Sequence, residues 1–229
     1  MEEMYLGITQ WMVDGDTSLL LAVNGMHSSY FDTFMWLCSR KFEWIPFYAS
    51  ILYVLLRNFS WRVVLYSLIA MTVVLLLTDA VSSHFLRPAV ARLRPSNLEN
   101  PLSAAIHIVD NHRGGRYGFP SSHASNSWGL VFFIGLLLRR RLLTWFLAGW
   151  ALLICYSRLY LGVHYPGDLL AGMLLGALVA SFVYWVFWRV CGHEVQELPS
   201  ELKHPYMPIA VGLLTLAVFF IMPLFLHIS

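Results

Sequence analysis

Long apolar stretches alternate with short polar segments along most of this chain. A helix that crosses a bilayer needs ~20 mostly apolar residues. Six stretches approach or reach that length: Trp44–Leu56, Val63–Phe85, Ser125–Leu138, Leu142–Leu161, Pro166–Val190 and Tyr206–Leu226. We expect the two shortest, the first and the third, to extend into their polar flanks. The pattern predicts an all-α fold, a polytopic transmembrane helical bundle of about six spans.

Residues 1–43 are patterned differently. The apolar segment Leu19–Val23 is interrupted by Asn24, His27 and Ser28 before it reaches the length of a span. We interpret residues 1–43 as interfacial N-terminal amphipathic helices. A seventh helix here, spanning or re-entrant, is the alternative. The start of the chain lacks the positive segment of a secretory signal, so we expect these residues to be retained.

The same pattern divides the chain into three parts. The N-terminal helices of residues 1–43 precede a transmembrane core of residues 44–190. Residues 191–229 comprise a linker and an additional C-terminal transmembrane helix, and we expect the linker, Gly192–Pro205, to be cytoplasmic. The sequence contains no internal repeat or low-complexity tract that would suggest a further domain.

Composition supports the membrane interpretation. Hydrophobic residues make up 58% of the 229 residues and charged residues only 12%, whereas a soluble domain carries about 25% charged residues. The net charge of +2 comes without a long basic run, so we expect no nucleic-acid partner. The cysteines Cys38, Cys155 and Cys191 are too scattered for a zinc site. Since no other group of metal-binding residue types stands out, we expect no metal and no cofactor.

Three short polar clusters lie where apolar stretches begin or end. They are Arg87-x6-Arg94-Pro95, Pro120-Ser121-Ser122-His123 and Ser157-Arg158-x5-His164-x3-Asp168. The first follows the second predicted span, the second opens the third span, and the third joins the fourth span to the fifth. Six spans place all three clusters on the same side of the membrane, which favours one shared site.

The arginines of these clusters, Arg87, Arg94 and Arg158, are suited to binding phosphate. A guanidinium group matches two phosphate oxygens at once and never loses its charge. The simpler explanation is that such residues only snorkel to the membrane interface. That explanation suits Arg57 and Arg62 better, because Arg94 precedes a proline and Arg158 leads into a segment that contains a histidine.

A predicted helix start supplies further candidate groups. Ser121 and Ser122 precede an apolar helix, as is typical of an N-cap. The free amides and the positive dipole end of such a helix also form an anion site. His123 projects from the first turn, beside any bound anion, where it can act as a general acid.

The third cluster combines a histidine with an aspartate. Pro166 suits the first position of a helix, which places Asp168 in the first turn and His164 just before the helix. An aspartate bonded to one ring nitrogen leaves the other nitrogen free as a nucleophile. The simpler alternative is a helix-capping aspartate beside an unrelated histidine.

Together the three clusters resemble the motifs of the type 2 phosphatidic acid phosphatase family, whose site is similar to that of vanadium haloperoxidases. The family pattern is Lys-x6-Arg-Pro, then Pro-Ser-Gly-His, then Ser-Arg-x5-His-x3-Asp. This chain has Arg87 where the family usually has lysine and Ser122 where it usually has glycine. The resemblance extends over about residues 44–190.

The resemblance implies a role for each residue. His164 would attack phosphorus and form a phosphohistidine, Asp168 would orient it, and His123 would protonate the leaving oxygen. The phosphate oxygens would be held by Arg87, Arg94, Arg158, Ser121 and Ser122. No metal is needed for this, because the arginines and the helix amides stabilise the charge on the phosphoryl oxygens.

The implied function is hydrolysis of a phosphomonoester or pyrophosphate on a membrane lipid. The candidate substrates are undecaprenyl pyrophosphate, phosphatidylglycerol phosphate, phosphatidic acid and lipid A phosphate. Two alternatives stay open: a lipid phosphotransferase that uses the same phosphohistidine, and a non-catalytic protein that binds or transports lipid phosphate. His123 and His164 favour an enzyme, because binding alone requires only the arginines.

Positive charge is distributed unequally between the two predicted sides. The loops opposite the clusters hold Arg57, Arg62, Arg139, Arg140, Arg141, Arg189 and Lys203, whereas the cluster side, apart from the three cluster arginines, holds Arg40, Lys41, Arg92, Arg113 and Arg116. Positive charges in short loops favour the cytoplasmic side, so we place Arg139–Arg141 in the cytoplasm. The clusters then face the periplasm or exterior of a bacterial inner (plasma) membrane.

The longest polar loop, Ser96–Tyr117, joins the first two clusters. Its basic residues are His107, His112, Arg113 and Arg116. We hypothesise that this loop gates the site or selects the lipid headgroup. The alternative is a solvated connector.

Asp79 is an acid within the second predicted span. Since a buried charge must be paired, we expect Asp79 to contact polar groups of a neighbouring helix, such as Ser125 or Asn126. The alternative is that Asp79 supports the site from below, because it lies about two helical turns before Arg87.

Overall fold

The computed structural model describes residues 2–196 and 202–226. Its helices are α1 (Glu2–Asn24), α2 (Ser29–Ser39), α3 (Ile45–Asn58), α4 (Trp61–Ala80), a π-helical turn (Val81–Leu86), α5 (Arg87–Val90), α6 (Ser122–Leu138), α7 (Arg141–Tyr160), α8 (Pro166–Gln196) and α9 (Met207–Ile221). Short 3-10 helices cover Lys41–Trp44, Pro101–Ala105 and Met222–Leu224. Extended pairing in this part of the chain is one antiparallel bridge between Leu93 and Tyr117. The predicted all-α class is confirmed.

Four helical segments of the described chain are long and apolar enough to cross a membrane. They are Trp61–Val90, Arg141–Tyr160, Pro166–Gly192 and Met207–Leu224. The α6 helix is a shorter apolar helix. These segments correspond to five of the six predicted spans, and the protein is a multi-pass membrane protein. The α3 helix, which covers the remaining predicted span except Trp44, is 14 residues long.

Two helix ends differ from the prediction. The α4 helix continues through the π-helical turn into α5, so Arg87 lies on a helical segment and not in the loop beyond it. Pro88 is tolerated there because it stands in the first turn of α5. The α8 helix runs to Gln196 because this end still packs on the core. The predicted linker, Gly192–Pro205, therefore starts as helix, and residues 197–201 lie outside the described residues.

The α6 and α8 helices pack closely through glycines. A Cβ atom on Gly172 would collide with the carbonyl oxygen of Ser121, and one on Gly176 with that of Ser125. Small residues at such contacts let helix backbones approach each other in a membrane. The starts of α6 and α8 therefore lie side by side, and the Ser121 amide donates to the carbonyl oxygen of Asp168 at 2.9 Å.

The second half of α1 packs on the end of the bundle that carries the three clusters. Leu20 is fully buried. The Asn24 amide group donates to the carbonyl oxygens of Tyr160 at 2.7 Å and His107 at 3.0 Å. The Asn24 side-chain oxygen accepts from the His107 backbone amide at 2.8 Å. These bonds attach α1 to the end of α7 and to the loop between α5 and α6.

The C-terminal helix α9 packs into the bundle through aromatic side chains. The buried Trp44 ring lies 5.8 Å from the ring of Trp150 on α7 and 5.2 Å from that of Phe219 on α9, edge to face in both cases. Edge-to-face pairs are a favoured arrangement of aromatic rings. On α2, the Tyr30 hydroxyl donates to the carbonyl oxygen of Phe220. These contacts fix α9 against α2 and α7.

The predicted contact of Asp79 with α6 is wrong. The polar contact between α4 and α6 is made by Thr78, whose hydroxyl donates to Asn126 Oδ1 at 2.7 Å. Because successive residues of an α-helix point about 100° apart, Asp79 points elsewhere and is exposed. Asp79 accepts a hydrogen bond from Ser83 at 3.4 Å, and Ser83 accepts one from Arg87 at 3.1 Å. Asp79 therefore connects with the first cluster.

Candidate active site

The structure brings the three clusters together at one end of the bundle. The predicted residues come from the start of α5 (Arg87), the loop between α5 and α6 (Arg94), the start of α6 (Ser121, Ser122, His123), the last turn of α7 (Arg158), the segment before α8 (His164) and the first turn of α8 (Asp168). Arg87 Nη2 donates to Ser122 Oγ at 2.5 Å. Arg94 Nη1 lies 2.7 Å from His164 Nε2. Hydrogen bonds thus link the first cluster to both of the others.

His164 is buried between an arginine and an aspartate. Its Nδ1 lies 3.4 Å from Asp168 Oδ2, and its Nε2 lies 2.7 Å from Arg94 Nη1. Since an arginine can only donate, Nε2 is the acceptor and the ring proton is on Nδ1, facing Asp168. Burial, Arg94 and Arg158, in that order, hold the pKa of His164 well below its ordinary value. The ring is therefore neutral, with its Nε2 lone pair directed at Arg94.

Asp168 is held in place from several sides. Its Oδ2 accepts a hydrogen bond from the Tyr165 amide at 3.0 Å, and its Oδ1 accepts one from Arg92 at 3.2 Å. Gly118 lies against this carboxylate, since a Cβ atom there would be 2.8 Å from Asp168 Oδ2 and 3.6 Å from His164 Nδ1. Any larger residue at this position would push the aspartate away from the histidine.

Three arginines retain open donors in the buried site. The Nε atoms of Arg87, Arg94 and Arg158 are buried and have no hydrogen-bond partner in the described structure. Arg94 is 8% exposed and Arg158 4%. Burial and, to a smaller extent, the charge of Arg87 lower the pKa of Arg94 to about 10, although the charge of Asp168 acts in the opposite direction. Buried cations with open donors are costly unless an anion completes their bonding, so this region is built to take one.

The serines at the start of α6 make contacts typical of a helix cap. Ser121 Oγ accepts from the Ala124 amide at 3.5 Å, and the Ser121 amide is already bonded to Asp168. Ser122 Oγ accepts from Arg87, so the residue that replaces the family's usual glycine contacts the residue that replaces its usual lysine. A bound phosphate could take a hydrogen bond from either hydroxyl, since both protons remain available.

His123 lies in the first turn of α6, next to the arginines. The charges that act on its ring most strongly are those of Arg158 and then Arg94. Arg158 is itself held by Ser39 at the end of α2, whose hydroxyl accepts from its Nη1. An anion that binds to both Arg94 and Arg158 would therefore lie beside His123. Its negative charge would compensate the repulsion between the two arginines.

Most of the basic residues in the loop Ser96–Tyr117 are engaged away from Arg87, Arg94 and Arg158. The Arg113 guanidinium donates to the Ser96 carbonyl oxygen at 2.8 Å, Arg116 pairs with Glu99 at 2.7 Å, and His107 pairs with Asp32 at 3.0 Å. His112 differs, because burial and then the charges of Arg158 and Arg94 lower its pKa. Of the four basic residues, His112 is therefore the one on which the charges of Arg158 and Arg94 act.

Two residues that contact the site have no counterpart in the sequence prediction. Arg92 bonds to Asp168, and its other Nη atom donates to Asp16 of α1 at 2.5 Å. Asp16 also accepts a hydrogen bond from the Gly167 amide at 2.7 Å. Arg92 lies between Arg87 and Arg94 of the first cluster. The spacing of these residues does not show in which direction the Arg92 side chain points beyond the end of α5. The Asp16 contact joins residues 151 positions apart and leaves no local signal.

Among the described residues, no three His, Cys, Asp or Glu side chains converge as metal ligands would. The three cysteines are buried thiols outside any disulfide. The groups that do converge are guanidinium, imidazole and hydroxyl donors. This donor set matches the oxygens of a phosphate.

The chain is similar to known membrane phosphatases. Residues 64–190 match the family described as the PAP2 superfamily. Lipid A 4'-phosphatase of Bacteroides thetaiotaomicron is 44% identical over 91% of this chain and 95% of its own length. Lipid A 4'-phosphatase of Porphyromonas gingivalis is 32% identical over 78% of this chain and 75% of its own length. The similarity to both relatives extends well beyond the three clusters.

The fold is also similar to a solved structure. The PAP2 type phosphatidylglycerolphosphate phosphatase from Bacillus subtilis superposes with a TM-score of 0.55 over 78% of this chain and 87% of its own, at 21% identity. At this identity the likeness shows the fold alone.

Proposed function

The chain belongs to the PAP2 superfamily and is a membrane lipid phosphatase, and from this premise we propose that it removes the 4'-phosphate of lipid A without a metal, through a phosphohistidine. The open arginine donors around the neutral His164 carry the mechanistic part of this proposal. The substrate follows from the two lipid A 4'-phosphatases, which resemble most of the chain.

The first half-reaction transfers the phosphoryl group to the enzyme. His164 Nε2 attacks phosphorus in line with the ester oxygen, so the N–P bond forms as the P–O bond to the lipid breaks. His123 gives its proton to the leaving oxygen, and the dephosphorylated lipid departs as an alcohol. The imidazole ring becomes positively charged, and Asp168 stabilises it through the Nδ1–H that faces the carboxylate.

The second half-reaction releases phosphate. Water attacks phosphorus from the side that the lipid oxygen has left, and the N–P bond breaks. The proton of the water passes to His123, which is thereby ready for the next cycle. The sum of the two steps is the hydrolysis of one phosphomonoester to an alcohol and inorganic phosphate. His164 returns to its neutral form.

Arg94 changes partners during this cycle. In the structure its Nη1 donates both to His164 Nε2 and to the carbonyl oxygen of Val163 at 2.9 Å. A phosphate between Arg94 and His164 accepts the bond that the ring nitrogen held, which frees the lone pair for attack. Arg87 and Arg158 bind the other oxygens through their open donors, and Ser121 and Ser122 add hydroxyl donors. These groups stabilise the charge that spreads over the equatorial oxygens.

The membrane topology belongs to the same proposal. We place six spans in the membrane, with α3 as the first, and the site on the periplasmic side of a bacterial inner membrane, where residues 1–43 lie as interfacial helices. The contacts of Leu20 and Asn24 with the site end of the bundle support this position of α1. The proposal also keeps the predicted division of the chain into N-terminal helices (residues 1–43), a transmembrane core (44–190), and a linker with a C-terminal helix (191–229).

The test is phosphate release by purified protein in detergent, with EDTA present. Lipid A is compared with undecaprenyl pyrophosphate, phosphatidylglycerol phosphate and phosphatidic acid, for the wild type and His164→Ala. We expect phosphate from lipid A only in the wild type, and mass spectrometry of the product should show loss at the 4' position. A preference for another lipid would overturn the substrate, a phosphorylated acceptor would indicate phosphotransfer, and turnover by His164→Ala would overturn the mechanism.

A further inference from the structure

We propose that Asp16 and Arg92 are positioning residues which hold Asp168 against His164, so that the N-terminal helix α1 completes the active site. This inference rests on the proposed role of His164 as the nucleophile. Asp16 lies outside the segment matched by the family, residues 64–190. Its role is therefore a property of this chain that family membership does not supply.

Arg92 bridges two carboxylates with the two arms of its guanidinium group. Its Nη1 lies 3.2 Å from Asp168 Oδ1 and its Nη2 lies 2.5 Å from Asp16 Oδ2. The group also stacks on the Tyr165 ring, 3.8 Å from its centroid. The same Tyr165 donates its amide proton to Asp168 Oδ2. Stacking and two ion pairs leave the arginine one orientation, and through it they orient the aspartate.

Asp16 has a second bond that fixes the start of α8. Its Oδ1 accepts from the Gly167 amide at 2.7 Å, one of the helix-start amides that have no partner within the helix. An acidic group at this position is also favoured by the helix dipole. A Cβ atom on Gly167 would lie 2.9 Å from Asp16 Oδ2 and 3.3 Å from Arg92 Nη1. Asp16 thus caps, from another helix, the turn that carries Asp168.

The order of charges explains why the arginine needs an acidic partner. The row runs Asp16, Arg92, Asp168 and His164, so negative and positive groups alternate up to the ring. Arg92 alone would offset the charge of Asp168 and reduce its stabilisation of a positively charged ring. Asp16 offsets Arg92 in turn. The charged groups that face Asp168 are Arg92 and Arg94 from the loop, Asp16 from α1 and His164 itself. His164 is faced in addition by Arg158 from α7, His123 from α6 and Arg87 from α5.

This arrangement makes a prediction that a merely structural contact would not. Replacing Asp16 by asparagine keeps the shape and leaves the charge of Arg92 uncompensated. The positively charged form of His164 is then less stable, so the pKa of His164 falls. The acid limb of the kcat/KM profile should move to lower pH. The phosphorylated, positively charged ring should also form more slowly, which lowers kcat.

The experiment compares Asp16→Asn and Arg92→Lys with the wild type, using lipid A in detergent. Glu43→Gln is the matched control, because Glu43 is a half-buried acid paired with an arginine, Arg40, at 3.3 Å. For Asp16→Asn we expect kcat to fall on the order of tenfold, KM to stay within about twofold and the acid limb to shift to lower pH. Arg92→Lys should also lower kcat, because an ammonium cannot bridge both carboxylates.

Two results would overturn the proposal. One is a wild-type kcat and pH profile in Asp16→Asn. The other is a fall in kcat that matches a loss of folded protein, by thermal unfolding, with an unchanged pH profile. His164→Ala is measured in parallel to separate the two claims. If His164→Ala turns over, the proposed function fails; if it is inactive while Asp16→Asn behaves as the wild type, only this inference fails.

Discussion

Arg94 donates a hydrogen bond to His164 Nε2 at 2.7 Å, so one residue both sets the tautomer of the ring and covers the atom that attacks phosphorus in the proposed mechanism. An arginine in this position must give up its bond when the phosphate binds. In the proposed mechanism the positive charge is therefore already beside His164, and one hydrogen bond of Arg94 is exchanged when the phosphate binds.

Arg94→Ala should reduce kcat by roughly 10²–10³, the usual effect of removing one donor from a site that stabilises developing charge. Arg94→Lys keeps a charge but loses the two-armed geometry, so its kcat should lie between those of Arg94→Ala and the wild type. Steady-state kinetics with lipid A decides this. Equal kcat values for the lysine variant and the wild type would show that charge alone is sufficient.

His123→Ala should slow the reaction by roughly 10²–10⁴ with lipid A, because a sugar alkoxide is a poor leaving group without a proton. The loss should be much smaller with p-nitrophenyl phosphate, whose phenolate leaves without protonation. The measurement is kcat/KM for both substrates in both proteins. An equal loss with the two substrates would mean that His123 acts on something other than the leaving oxygen.

Activity should persist at pH values where an ordinary histidine is protonated. Attack requires neutral His164, and burial, Arg94 and Arg158 lower the pKa of this ring well below its usual value. The acid limb of kcat/KM should therefore lie below about pH 6.5, the pKa of a free histidine. A basic limb of kcat should follow from the loss of the proton on His123 in the substrate complex, where the bound phosphate offsets the charges of Arg158 and Arg94 that act on this ring. An acid limb at the free-histidine value would contradict the burial of His164.

Gly118→Ala should lower kcat sharply, because its Cβ atom would lie 2.8 Å from Asp168 Oδ2. The carboxylate must move, and its bond to His164 Nδ1 is lost or lengthened. Gly115→Ala is the matched control in the same loop, since a Cβ atom there meets nothing within 4 Å. The comparison uses kcat together with Tm. Similar kcat values in the two variants would show that Asp168 can move without affecting the chemistry.

The sequence predicted those parts of the molecule that depend on local pattern. Apolar stretches gave the spanning helices, and three short motifs pointed to residues that the structure places in one region. Asp168 in the first turn of α8 and His164 before it follow from Pro166 at the helix start. The exception within this group is Asp79. Thr78, the residue before Asp79, makes the contact with α6. Composition cannot resolve which of two adjacent polar residues faces a neighbouring helix.

The rest depends on contacts between distant segments. Asp16 and Gly167 are joined by a hydrogen bond, yet nothing in the spacing of α1 indicates a partner on α8. Arg92 appears in the sequence only as one more positive charge of a loop. The engagement of Arg113 by the Ser96 carbonyl oxygen is likewise a matter of loop geometry. Whether the loop Ser96–Tyr117 gates the site stays a prediction. Exchanging this loop and measuring the relative activity on lipids with different headgroups would test it.

The central claim is that His164 carries the phosphoryl group, and the most direct measurement is to trap it there. Lipid A labelled with ³²P at the 4' position is mixed with the enzyme in EDTA, quenched with base within milliseconds, and the labelled peptide is sequenced. We predict a base-stable, acid-labile label on His164 that is absent from His164→Ala and that forms more slowly in His123→Ala, because this variant lacks the acid for the first half-reaction. Turnover of the labelled lipid with no protein-bound phosphate, or with the label on another residue, would contradict the account.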